Sequence, residues 1–525
     1  MISYIFFSRL HEGYDEIDDK AVILPFKPAR PPGIHLPGFT SRKTAHSYSS
    51  PSAFFKLFFT LELMSELCSF TNTQAKLNMH EDSAYGDKGE WVHVTPAELY
   101  SYVALLMYMS IIKAPSVEKY WSTATLYHGL WARSFMTLNR FKAISSFLKV
   151  VDPLKENVKD DKLAKVRFLI DFIRDKCQQL YQPSENISID ERMVRNKGRF
   201  SFRQYIRDKP TKWGFKLWVL ADSLTGYTWD FEVYTGKSTK ACSTFGLAYD
   251  VVMRLCTSLL YQGYRLFVDN FYTSIRLLLD LFKKGMHACG TVRQNRRGFP
   301  SIMKDQWEKK AERGNMRWVR QDELLTVQWK DSKCVTLMST MHNASNYSFV
   351  HRRLKENDKF RKILVRQPSI ISSYNINMAG VDKSDQLIGK YNCLRKTNKW
   401  WKTLFYHLVD ICRVNSFVLF KTWQAANPDI PELVRSKKYS QLEFTEELIR
   451  ELANVEDDDP VPLLSSPRKP SASHQITPEY TDCKRNCKFC YKRYHTEVKT
   501  YVKCSKCDTY LCFNKDRNCL LAFHL

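Results

Sequence analysis

The sequence predicts an α/β protein in which a mixed sheet is flanked by helices and followed by a small cysteine-rich module. Three observations carry that expectation. Between residues 186 and 292, short apolar or alternating stretches are interleaved with helical patterns. Long helical stretches lie on either side, at 52–183 and at 398–423. Seven of the chain's 15 cysteines then fall between Cys483 and Cys519.

Taken in order, residues 1–51 contain Pro25, Pro28, Pro31, Pro32 and Pro37 and show no periodic pattern, so a disordered tail is expected. The extreme N-terminus lacks a basic leader and a small-residue cleavage site, which argues against a signal peptide. Order is expected from Ser52, where Phe54, Phe55, Leu57, Phe58 and Phe59 precede Leu61, Met64 and Leu67 at helical spacing. Thr95-Pro96-Ala97-Glu98 has the form of a capping box with proline at the first helical position. The helix it opens is apolar, but its apolar run over 103–112 is too short to span a bilayer. Further helical patterns cover 132–148 and 166–180, so 52–185 reads as a helical region.

The pattern changes at Asn186. Ile187 and Ile189 alternate with Ser188 and Asp190, a half-buried strand expected to end at Asp190. Two more strands follow at 214–222 and 228–234, joined by the turn Ser223-Leu224-Thr225-Gly226. Then come a helix at 244–260, a strand through Leu266, Phe267 and Val268, a helix at 274–284 and a strand at 287–292. Three antiparallel strands followed by helix, strand, helix, strand is the order of a ribonuclease-H-like core, expected over 186–389. Residues 293–368 read as a β-rich insertion, with strand candidates at 316–319, 324–329 and 334–339. Helix returns over 390–455, where Leu404, Leu408, Ile411, Val414 and Val418 share a core stripe. A linker is expected at 456–480 and the cysteine-rich module at 481–525.

The chain's 525 residues carry a formal charge of +25, with a pI near 9.4. Cations interleaved with aromatics point to a nucleic acid partner rather than a membrane. Between Arg192 and Lys216 there are nine Lys or Arg and one acid, Asp208, interspersed with Phe200, Phe202, Tyr205 and Trp213. Arg192, Arg195, Lys197, Arg199, Arg203 and Lys212 are the phosphate-binding candidates here. A second basic stretch, 390–402, adds Arg395, Lys396 and Lys399, while Trp400 and Trp401 suit either stacking on an unpaired base or packing.

Three acids occupy comparable settings. Asp190 and Asp269 each follow a strand, and adjacent first and fourth strands would let them converge. Asp382 stands at a helix entrance, where it is either an N-cap or a third ligand packed against that edge. Asp385, one turn on, suits the helix dipole. Three converging carboxylates repel one another and raise each other's pKa. Two Mg²⁺ or Mn²⁺ ions would relieve this and clamp the attacking and leaving oxygens of a phosphodiester.

Ser188-Ile189-Asp190-Glu191, the run from Val268 to Ser274 (V-D-N-F-Y-T-S) and the run from Gly380 to Gln386 (G-V-D-K-S-D-Q) resemble the catalytic blocks of piggyBac transposases. So does Arg395-Lys396-Thr397-Asn398-Lys399-Trp400. The resemblance implies catalysis by Asp190, Asp269 and Asp382, with Asp385 as an accessory acid. It implies metal-dependent cutting of double-stranded DNA at transposon ends, a hairpin intermediate and joining at TTAA targets. It also implies a homodimer working in the nucleus, with 52–185 and 390–455 forming one dimerisation and DNA-binding domain. Ala379, where a glycine is commoner, departs from the family pattern, and the family's long acidic N-terminal region is missing, which points to a truncated or mispredicted start. The alternative is a domesticated, transposase-derived DNA- or chromatin-binding protein that no longer cuts.

In the tail, Cys487-x-x-Cys490 and Cys504-x-x-Cys507 precede Cys512, Cys519 and His524. Two such hooks with further soft ligands are a zinc pattern, and two tetrahedral sites need an eighth ligand, either Cys483 or His495. So short a segment would draw its folding energy from the metal. The family resemblance assigns this module to recognition of transposon ends.

Overall fold

The structure is a computed structural model that describes residues 9–18, 21–37, 48–78, 91–127, 129–155, 161–207, 209–236, 244–356, 359–454, 477–505, 507–514 and 517–524. The chain divides into two compact units, Met1–Pro115 with Phe135–Glu456, and Ser116–Ser134 with Asp457–Leu525.

In the larger unit the strands are β1 (His11–Glu12), β2 (Gly33–Ile34), β3 (Tyr181–Gln182), β4 (Asn186–Arg195), β5 (Gln204–Tyr205), β6 (Trp213–Asp222) and β7 (Thr228–Val233). They continue with β8 (Arg265–Val268), β9 (His287–Thr291), β10 (Met316–Gln321), β11 (Leu324–Lys330), β12 (Cys334–Ser339), β13 (Tyr347–Glu356) and β14 (Lys359–Pro368). Strands β4, β6 and β7 form an antiparallel meander, whereas β4–β8 and β8–β9 pair in parallel. The parallel pairs need crossovers, which the Leu247–Leu255 and Ile275–Lys283 helices supply. The order β7-β6-β4-β8-β9 is the ribonuclease-H-like α/β arrangement expected from the sequence.

The region 293–368 is β-rich, as expected, and its strands β10, β11 and β12 extend the main sheet: β12 pairs with β9, and the sheet continues through β11 and β10. Shared packing explains why, since Phe267 and Cys289 of the central strands lie in one apolar cluster with Trp318, Val327, Trp329 and Leu337. Only β13 and β14 leave the sheet, as a two-stranded hairpin.

The N-terminal tail is a correction. Its described residues are tied down rather than disordered. β1 pairs with β10 at the sheet edge, and β2 pairs with β3. Buried Asp18 meets Arg320 at 2.6 Å. The prolines that exclude helix leave an extended strap, which the backbone uses by pairing with edges. Leu24 N–H donates to His287 Nε2 at 2.9 Å, so that ring nitrogen must carry a lone pair. Burial, with the charge of Arg265, lowers the His287 pKa to about 4. The unfolded chain therefore takes up a proton near pH 6.5, while the folded protein resists it until about pH 4. This contribution is whole above pH 6.5 and is lost as pH falls toward 4. Thermal melts between these pH values are expected to show a drop worth about 2 kcal/mol that His287→Gln flattens. Parallel curves for both proteins would refute the assignment.

The helices behave more locally. Thr95 accepts from Glu98 N–H at 3.3 Å, but Glu98 turns its carboxylate to Arg140 at 2.6 Å instead of closing the box. The expected 132–148 helix is interrupted and restarts as Leu138–Phe147, with Thr137 as its cap. Trp400–Ala426 packs on Pro51–Phe55 and Arg167–Leu180, and Gln441–Ala453 packs on Pro96–Ile111. Among the described residues, Trp400–Ala426 is the one helix long and apolar enough to cross a bilayer, and 94% of its most apolar window is buried inside the protein. Of the expected linker, 456–476 lie outside the described residues.

In the smaller unit, β15 (Pro478–Asn486) and β16 (Lys499–Cys504) form an antiparallel pair beside short helices at Lys488–Tyr494 and Cys519–His524. Its interior is mostly cysteine: Cys487, Cys490, Cys504, Cys512 and Cys519 pack with Leu511 and Leu520.

Candidate active site

Strand β8 is only four residues long because Asp269 leaves it into a turn. The Asp269 carboxylate accepts from Phe271 N–H at 2.9 Å, and its carbonyl accepts from Thr273 N–H at 3.1 Å. Asp269 thus caps the turn and also faces the sheet end. The β4–β8 pairing stops at Ile189 and Val268. Asp190 is the next residue of β4, so the two acids emerge side by side. β4 does not end there, as the alternation had implied, but runs on to Arg195 against β6.

The acidic groups brought together are Asp190, Glu191 and Asp269, whose oxygens lie within 4.8 Å of one another. Glu191 is the member that sequence reasoning missed. Two consecutive acids at a strand position were the available signal, but strict alternation would have sent Glu191 to the opposite face. Asp382 does not join this cluster. It lies exposed on the first turn of the Gly380–Lys390 helix, although its charge, with those of Asp190 and Glu191, acts on Lys209. Three carboxylates already share the point, and Lys209 Nζ stands beside them, 3.5 Å from Glu191. Asp385 bonds to Arg192 and does not reach the cluster.

The electrostatics match this crowding. Burial first, then the Glu191 charge, raises Asp190 to about 7. Burial also raises Asp269, with Glu191 adding to it. Lys216, whose ammonium lies 4.8 Å over the Phe271 ring, is lowered by burial despite the three nearby carboxylates. Burial lowers Lys209, but Asp190, Glu191 and Asp382 outweigh it and raise its pKa. An all-oxygen donor set strained toward neutrality is what a hard divalent cation would relieve, so the residues fit Mg²⁺ or Mn²⁺.

Close packing seats the helix that carries Asp382. A Cβ on Gly380 would lie 2.5 Å from Ser188 Oγ and 3.0 Å from the Asp222 carbonyl. Gly380→Val is expected to displace this helix from β4 and β6, costing about 1–3 kcal/mol in denaturant melts. Unchanged stability would refute that seating.

Beside the acids runs a groove of about 990 Å³, lined by Glu191, Arg195, Lys197, Lys209, Arg395 and Lys396 among others. The two basic stretches of the sequence therefore meet. Not every DNA-binding candidate belongs there. Arg192 lines the groove wall but is 2% exposed and held by Asp385 and Ser384, so it positions its neighbours. Trp400, half-buried, packs against Phe200, Phe202 and Phe215, with the Phe202 ring at 5.3 Å, so at least part of its ring serves packing. Lys399 donates to the Ser146 carbonyl at 2.9 Å. Arg203 stacks over Trp213 at 4.3 Å, and Arg199 and Lys212 are exposed outside the groove lining.

In the smaller unit, Cys487, Cys490, Cys512 and Cys519 place their sulfurs within 4.8 Å of one another. Cys490 lies 3.5 Å from Cys519 and 4.0 Å from Cys512. A tetrahedron of zinc–sulfur bonds has edges of about 3.8 Å, so the donor set fits. Burial pushes the Cys487 thiol up, but bonds from Cys490 and Cys512 outweigh it and hold the thiol below its ordinary value, favouring thiolate. Cys504, Cys507 and Cys483 are not in this group, His495 is exposed at a helix C-terminus, and the side chain of His524 lies outside the described residues.

Known proteins resemble this chain over most of its length. The family described as "Transposase IS4" matches residues 50–417. The human "PiggyBac transposable element-derived protein 3" is 28% identical over 394 residues, covering 74% of this chain and 64% of the relative. This chain belongs to the piggyBac transposase family. The human piggyBac-derived proteins 2 and 5 are 28% and 23% identical, over 71% and 82% of this chain and 62% and 80% of their own lengths. The chain thus spans just under two thirds of the relatives numbered 3 and 2. A piggyBac transposase solved in a synaptic complex with hairpin DNA shares the fold, at a TM-score of 0.68 and 24% identity over 92% of this chain and 98% of that one.

Proposed function

We propose that the chain is a piggyBac-like DNA transposase that cuts at transposon ends and joins them to TTAA targets. The observation that carries this reading is the Asp190–Glu191–Asp269 cluster opening beside a groove lined by cations. Asp190, Asp269 and Asp382 would hold two Mg²⁺ or Mn²⁺ ions, with Glu191 as a further ligand. Bound there, the ions would polarise the scissile phosphodiester and stabilise the entering and departing oxygens. Arg195, Lys197, Arg395 and Lys396 hold the DNA backbone along the groove by charge-assisted bonds to phosphate. Lys209 keeps its proton among the acids and so offers a cation next to the cut phosphate. Arg192 fixes Asp385, and through it the helix that carries Asp382.

Cys487, Cys490, Cys512 and Cys519 would hold one zinc ion. A second would fall to Cys504, Cys507 and His524 with Cys483 or His495, and the module would serve recognition of transposon ends. The reading includes a homodimer that acts in the nucleus. A second reading, a domesticated protein that binds DNA without cutting it, is favoured by one feature, the position of Asp382 outside the acid cluster. Excision of a reporter flanked by the inverted repeats that border the gene tests the two. Repaired, religated donor is expected. No excision, with DNA binding retained, would sink the first reading in favour of the second.

A further inference from the structure

The hairpin of β13 and β14 projects a face that the catalytic reading does not use. Its cross-strand partners alternate between two sides. Val350 with Val365, Arg352 with Ile363 and Leu354 with Arg361 form one side. Val350, Ile363 and Val365 pack on the cluster that contains Trp329, and Arg352 is paired with Asp331 at 2.9 Å. That side anchors the arm.

The other side pairs Phe349 with Arg366, His351 with Leu364, Arg353 with Lys362 and Lys355 with Phe360. All eight side chains are exposed, and none is acidic. Phe349, Leu364 and Phe360 are 56%, 57% and 69% exposed, more apolar surface than a solvated strand face needs. Arg353 and Lys362 sit directly opposite each other, an arrangement that costs stability in an isolated ribbon. A like-charge pair held there is explained if a polyanion lies across it.

We propose that this face of the β13–β14 arm is a second DNA-binding surface that takes double-stranded DNA, distinct from the groove beside the acids. It rests on the transposase reading only in taking DNA as the polyanion. The shape suits the ligand. Ten-residue strands make an arm about 30 Å long. A two-stranded ribbon also fits a major groove about 12 Å wide. Arg353, Lys355, Lys362 and Arg366 meet phosphates on either side, while Phe349, Leu364 and Phe360 between them contact base edges and thymine methyls.

The test is binding of a fluorescent, mixed-sequence duplex by the full chain carrying Asp269→Ala, so that cleavage does not enter. Adding Arg353→Gln with Lys362→Gln is expected to weaken binding about tenfold at moderate salt and to reduce the salt slope by about 1.8, for two phosphate contacts. The melting temperature should hold or rise, because the opposed charges are gone. Lys27→Glu with Lys283→Glu, exposed cations elsewhere, should leave a larger share of the affinity despite the greater loss of charge. An unchanged affinity and slope in the Arg353/Lys362 variant would overturn the proposal. So would losses matched by the Lys27/Lys283 control, or a loss of binding to phosphatidylserine vesicles with DNA binding intact. Failure of the cutting reading shows instead as absent excision by the wild-type chain, which this comparison does not touch.

Discussion

Asp269→Ala is expected to lower excision of a transposon reporter at least about a hundredfold, the scale seen when a catalytic metal ligand is lost. The position has two duties, and they separate experimentally. Its carboxylate faces Asp190 and Glu191, and it also accepts from Phe271 N–H to shape the turn after β8. Asp269→Asn keeps an oxygen for that bond but removes the charge. It should therefore fold like the wild type, with a melting temperature that holds or rises as the buried charge is relieved, and still fail to excise. Asp269→Ala should lose a further 1 kcal/mol or so of stability with the capping bond. Equal excision by wild type and Asp269→Asn would remove this residue from the chemistry and leave a turn cap. Glu191→Gln extends the same measurement to the residue that the motif did not point to, and a loss comparable with that of Asp269→Asn is expected if Glu191 is a ligand.

How much of this was legible beforehand depended on the range of the signal. Asp269 was legible because a short apolar strand ending in an acid is a local pattern, and the strand order placed it beside Asp190. Glu191 was not, since alternation assigns it to the wrong face and only the end of β8 opens room for it. Asp382 was legible as a motif position, yet its distance from the other acids is set by tertiary packing of its helix on Ser188 and Asp222 through Gly380. The two basic stretches were visible by charge, but which cations face a ligand was not. Arg192 is consumed by Asp385, and Trp400 by three phenylalanines more than 180 residues earlier in the chain. The N-terminal strap shows the same limit from the other side. Prolines correctly exclude helix there, but a strand that pairs with a distant edge leaves almost no local trace.

Removing zinc is expected to unfold the cysteine-rich module while the larger unit stays folded. The module's buried cluster is five cysteines and two leucines, with Phe489, Val498 and Phe523 only partly buried against it, too little apolar surface to offset the ordering of its chain. Structural zinc supplies about 10–16 kcal/mol in small modules of this kind, so its loss leaves nothing comparable in reserve. Cys490 is the decisive position, because its sulfur contacts those of both Cys512 and Cys519. Cys490→Ala in the full chain should bind one zinc ion fewer per molecule by elemental analysis. It should also become open to proteolysis beyond residue 477, with the main melting transition unmoved. Cys68→Ala is the control, since Cys68 is a buried thiol of the larger unit that should leave zinc content unchanged. The wild-type zinc content in Cys490→Ala would break the four-thiol assignment, and a protease-resistant module after chelation would show that the cysteines pack as a core without metal.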